Sequence, residues 1–165
     1  MTTAFEQHRV RLLGAPLPLM ARSTEHHQEL VREFQLLAID PPESTPGHEV
    51  PQRLLDLIAE LGTRYAGISD AATAVREEAT ARGEATADLD FLVPASVADA
   101  CARLDRMFDD ADEFCRAGDR LLTLATPPDA AALRHWYLGE FVAQVGGADP
   151  TPWNEYAERQ SRQSS

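Results

Sequence analysis

At 165 residues, 44% of them hydrophobic, the chain is sized for one domain that buries about 70% of the surface its unfolded form exposes, so it needs neither metal nor disulfide to fold. Its formal net charge of −12 opposes phosphate backbones and anionic lipid, so neither nucleic acid nor a membrane surface is an expected partner. All 15 basic residues are Arg, which excludes lysine Schiff bases, a phosphate-loop lysine and a kinase-type catalytic lysine.

In chain order, Arg9–Leu13 alternates in a strand-like way before Pro16 and Pro18. Those prolines interrupt the only apolar run near the start, and no stretch reaches the roughly 18 apolar residues of a membrane span, so neither export nor insertion is expected. A first helix is predicted over 18–39, where Met20, Thr24, His27, Val31, Phe34 and Ala38 recur at four- and three-residue steps. Pro41 and Pro42 end it, and a loop rich in Pro, Ser, Thr and Gly follows to Glu49.

A second helix is predicted over 51–82, carried by the apolar ladder Leu54, Ile58, Leu61, Tyr65, Ile68, Ala72 and Val75. Gly62 and Gly67 lie inside it and suggest a close helix contact or a bend near Tyr65. The segment 87–93 alternates again and leads through Pro94 to a third helix, with Ser96 and Asp99 in capping-box-like spacing. That helix ends before Gly118 and carries a second ladder: Val97, Cys101, Leu104, Phe108, Ala111 and Cys115. A fourth helix is predicted to start with Thr126 as N-cap, prolines behind it and Asp129 in the first turn, and to run to Val145 before Gly146-Gly147.

The expectation is therefore all-α: a four-helix bundle over 1–147 with an irregular, partly disordered tail over 148–165. The segments 9–13 and 87–93 either pair as a two-stranded ribbon, with Arg9 and Arg11 facing Asp88 and Asp90, or remain two extended leaders that never meet.

A four-helix bundle raises the question of a di-iron centre, which needs Glu-x-x-His on two helices. None of the five histidines has a Glu three residues before it. His26, Glu29 and Glu33 share one face of the first helix and are weak candidates for a single metal, although such acidic faces are usually solvated. His27 lies on the core stripe and reads as an interior, hydrogen-bonded imidazole. No cofactor is called for, and no catalytic set emerges: no serine stands in a Gly-x-Ser-x-Gly setting and no glycine-rich loop follows a strand.

Arg134 stands in the middle of the apolar stripe of the fourth helix. Buried, it needs an anion, which the acids of the third helix could supply; near a helix start, it can also carry its charge out over its apolar stem, the reading favoured by its position. Trp136 projects away from that stripe and Trp153 sits in the proline-bracketed tail, so each is a candidate interface anchor, with docking back on the domain the commoner fate of a terminal Trp. Asp105, Asp109, Asp110, Asp112 and Glu113 read as the outer, solvated face of the third helix, open to a basic partner. Cys101 and Cys115 are about 21 Å apart along one helix, far beyond the roughly 7 Å a disulfide allows, and read as core thiols in a reducing cytoplasm.

Several strings together resemble a family of small proteins from high-GC Gram-positive bacteria. They are Val10–Gly14, Glu25–Leu30 with Arg32–Phe34, Arg64–Gly67, Glu113–Asp119, Leu121–Pro128, Trp136–Phe141 and Pro150–Trp153. The resemblance implies association with partner-switching systems built from anti-sigma-factor-like kinases, STAS antagonists and serine phosphatases, and brings no catalytic residues with it. Three functions follow as expectations. The first is a non-enzymatic regulator binding a kinase-like or STAS partner, with His27, Glu33, Arg134, Trp136 and Trp153 as candidate contacts. The second is a small-molecule or metal-binding helical sensor or enzyme using His27, Arg134 and Glu33. The third is a structural homodimer that buries an exposed ladder of the long second helix between two copies.

Overall fold

The computed structural model describes residues 6–39, 49–117 and 124–163. The element order is β1 (Gln7–Pro16), α1 (Leu17–Ile39), α2 (Val50–Arg64), α3 (Asp70–Ala81), β2 (Thr86–Pro94), α4 (Ser96–Ala117), α5 (Pro128–Val145) and α6 (Trp153–Gln163). The loop over 41–49, Glu49 apart, and the Gly118 stop lie outside the described residues. No described helix is long and apolar enough to cross a membrane.

Six helices among the described residues replace the expected four, and both additions have a local cause. The 51–82 helix breaks after Arg64. Tyr65 still donates its N–H to Leu61 O, but Gly67 turns to φ +82°, and the Ile68 and Asp70 amides bond back to Tyr65 O and Gly67 O. A side chain at that φ would be strained, which is why a glycine makes the corner. The ladder steps straight across the break: Leu54 faces one core cluster and Ala72 another. Apolar spacing reports which face is buried, not whether the axis stays straight. The ladder is therefore divided between two helices, α2 and α3.

The second addition is α6, in the stretch expected to be irregular. It buries no residue fully, and only Trp153 and Tyr156 pack on the core, so the apolar period is nearly invisible. Ion pairs Glu155–Arg159 and Glu158–Arg162, each with the acid one turn before the base, support the helix instead.

β1 and β2 do pair, antiparallel, with Val10 opposite Phe91 and Leu12 opposite Leu89. Alternation puts Val10, Leu12, Leu89, Phe91 and Val93 on the buried face. On the other face Asp90 takes both arginines, Arg9 Nε at 3.0 Å and Arg11 Nε at 3.4 Å. Asp88 instead accepts the Gly14 N–H at 2.8 Å, where the register shifts between Leu12 and Ala15 and Gly14 adopts φ +66°.

The outer edge of β1 is closed by a side chain. Gln144 of α5 accepts the Arg11 N–H through Oε1 and donates Nε2 to Arg11 O, both at 2.8 Å, reproducing the pair of bonds a neighbouring strand would make. Its amide also donates to Glu140 Oε2 at 2.7 Å, and that carboxylate accepts the Thr151 N–H at 3.1 Å. Trp136 Nε1 donates to Thr151 O at 2.8 Å. The C-terminal segment is thus latched to α5 through both backbone groups of one residue.

The core divides in two. The ribbon, the start of α1, α3 and much of α5 form one cluster, with Trp136 at its centre; the far half of α1, α2 and the later part of α4 form the other around Leu30, Phe34 and Leu54.

Candidate functional site

Where the two clusters meet, α1, α4 and α5 leave a cleft of about 610 Å³. Met20 and Leu133 reach it from the first cluster and Phe108, Leu104 and Ile58 from the second, with Val31, Tyr137 and Leu138 completing the apolar wall. Thr24, Gln28, Arg32 and Gln35 of α1 are exposed and form its rim, and Arg76 reaches it from α3. The helical stepping of α1 explains this division: Met20, His27 and Val31 fall on the inward stripe, with the polar residues beside it.

His27 stands in that wall. Its ring stacks on Phe108 with centroids 4.8 Å apart, and its Nε2 is buried with no hydrogen-bond partner among the described residues. Burial first, then His26 and Arg134, push its pKa down to about 4, while Asp112 opposes the shift. The imidazole is therefore neutral at pH 7. It is interior, as expected, but without the hydrogen bond that reading assumed.

Arg134 is buried, which decides against its snorkelling to solvent. It is held by three carboxylates of α4: Nε donates to Asp105 at 3.0 Å, Nη1 to Asp112 at 3.2 Å and Nη2 to Asp109. Its guanidinium carbon lies 5.5 Å from the Phe108 ring centre. Asp112 is itself buried, and its other oxygen accepts the Thr126 hydroxyl at 2.6 Å and the Thr126 N–H at 2.9 Å. That corrects two expectations. Thr126 is not the N-cap of the helix beginning at Pro128; Pro127 is, and Thr126 spends its hydroxyl on α4. The acids of α4 are not all on an outer face either. Asp105, Asp109 and Asp112 follow the same four-and-three stepping as the apolar ladder, so they share a stripe that faces α5.

His135 extends the cluster, with Nδ1 2.9 Å from Asp105 Oδ2 and Nε2 3.5 Å from Asp109 Oδ1. Asp105, Asp109 and His135 are the one set of three among the described residues whose ligand atoms converge, within 4.8 Å of one another. Both carboxylates already serve Arg134, so a divalent cation there would have to share its ligands with a fixed guanidinium. His26, Glu29 and Glu33 do not converge, and Glu33 does not line the cleft.

The two tryptophans are not free anchors. Trp136 is 1% exposed, and Trp153 packs edge-on against it at 5.5 Å and beside Tyr156. Trp136 lies off the Leu133–Tyr137–Phe141 stripe, yet α5 is covered on more than one face, by the ribbon and by α6, which a single amphipathic stripe does not register. Cys101 and Cys115 are core thiols. Burial pushes them up to about 12 and about 11, helped by Asp105 and Asp112 respectively, which leaves no thiolate near pH 7.

Of the candidates read from the sequence, His27 and Arg134 are brought together on one cleft. Sequence reasoning missed the apolar wall and the rim arginines Arg32 and Arg76; it offered the acids of the third helix as partners of a buried Arg134 but did not pick out Asp105, Asp109 and Asp112, whose helical spacing was the signal. Comparison of the chain with family models, with curated proteins and with solved structures found no match to any of them.

Proposed function

We propose that this chain is a cytoplasmic, non-enzymatic sensor that takes a mainly apolar small molecule into the cleft between α1, α4 and α5. The cleft itself carries the reading. Its volume of about 610 Å³ lies inside the roughly 300–1,000 Å³ of small-molecule sites, and its wall combines apolar and aromatic side chains with a few polar groups, as such sites do. His27 adds a neutral imidazole whose Nε2 has no partner among the described residues. Because the cleft lies between two core clusters, an occupant would bridge them, and binding would stabilise one relative placement of α1 against α4 and α5.

The test uses Nile red, a neutral apolar dye. Thr24 is exposed on the rim, and its hydroxyl only bonds back to Met20 O, so Thr24→Trp fills the cleft from outside without disturbing a core contact. The native protein is expected to bind the dye saturably with a blue-shifted emission, and the variant to lose that binding at unchanged helicity. Non-saturable binding, or equal binding by both proteins, would overturn the reading.

A further inference from the structure

The chain has 27 acidic residues, yet the described residues that line the cleft include three arginines, a histidine and no carboxylate. In so acidic a protein this is a local inversion of charge. Arg134 is already neutralised by its three aspartates. Arg32 and Arg76 are different: neither has an ion-pair partner among the described residues, and they come to the cleft from two helices, α1 and α3. Arg76 is half-buried, where a guanidinium is less screened than on the open surface, and Arg32 is exposed at the rim.

We infer that the occupant is an amphipathic organic carboxylate, its apolar body against Leu104, Phe108 and Leu138 and its carboxylate drawn to the cleft's two arginines without an acidic partner among the described residues, Arg32 and Arg76. This rests on the cleft being a ligand site, as proposed above. Planar guanidinium groups match a carboxylate in geometry as well as charge, and a neutral His27 adds no competing charge deeper in the wall. An amine of the same shape would meet cations at the rim. A neutral alcohol would keep the apolar contacts and lose the ion pairs.

Octanoate, 1-octanol and octylamine share one apolar body and separate these cases. Each is titrated by calorimetry into the full chain and into an Arg32→Gln, Arg76→Gln double variant, with Nile red binding measured in parallel. Octanoate is expected to bind roughly tenfold or more tightly than octanol, and the double variant to reduce octanoate to the level of octanol without moving octanol itself. Unchanged octanol affinity also shows that the variant is folded. Equal affinities for octanoate and octanol, tightest binding by octylamine, or an octanoate affinity indifferent to both arginines would overturn the carboxylate inference while Nile red binding keeps the cleft. Failure of all three compounds and of the dye would instead remove the cleft reading, and the inference with it.

Discussion

Arg134 shows how much one side chain can commit. Its guanidinium ties α5 to three turns of α4, and Asp112 passes the tie on to Thr126 at the entrance to α5. Asp112 is buried and Asp105 largely so, whereas Asp109 is half-exposed and contributes less through solvent screening. Replacing Arg134 by Met keeps the stem and removes the charge, leaving a buried carboxylate without its cation. The expected cost is about 3–5 kcal/mol of unfolding free energy by urea titration, and a loss below 1 kcal/mol would show that the cluster does not hold the helices. His27 gives a pH signature. Its folded pKa of about 4 lies below the ordinary 6.5, so between those values the unfolded chain binds the extra proton and protonation favours unfolding. The stabilisation is full above pH 6.5 and is lost as pH falls toward 4, by about 3 kcal/mol. Since His26, Arg134 and Asp112 act on the same ring, the measurement is a difference. A His27→Phe variant keeps the stack on Phe108 and should be less sensitive to acid than the native chain over that range, as read from urea midpoints. Parallel pH profiles would refute the assignment.

At the scale of elements, the ribbon and α5 depend on one another. A two-stranded ribbon is marginal alone and needs packing against a helix. Here the helix supplies both an apolar face and, through Gln144, a substitute for the missing strand. Gln144→Ala strands the Arg11 N–H and C=O and breaks the path to Glu140, at a cost of about 1–3 kcal/mol. Amide exchange at Arg11 should accelerate in the variant beyond what the global stability change explains; exchange that tracks global stability alone would deny the edge-closing role. The same scale explains what was legible. α1 and α4 follow from their apolar stripes and the prolines just before them, and their starts at Leu17 and Ser96 fall within about one residue of the sequence reading. The break at Gly67 was half visible, as a glycine within a ladder, because a corner and a close helix contact both call for glycine. α6 was hidden because its few anchors are aromatic residues latched through the backbone of Thr151, and a backbone hydrogen bond has no residue signature.

For the molecule as a whole, the cleft and its charge exist only because six helices and a ribbon are assembled. Leu104 and Phe108 belong to one ladder, Arg32 and Arg76 to two other helices far apart in the chain, and nothing local marks them as lining one cleft. By itself the sequence determined that α1, α4 and α5 each bury an apolar stripe, that the two extended segments alternate as strands do, and that the cysteines are core thiols, because each rests on spacing or solvation read within one element. Only the tertiary structure decided that the long ladder serves two cores, that Arg134 is held by Asp105, Asp109 and Asp112, that Trp136 is interior, and that Arg32 and Arg76 share a cleft with no carboxylate among the described residues that line it. Those outcomes depend on which element covers which face. That is settled by packing between segments distant in the chain, where burial and charge are properties of the assembly and not of the residue.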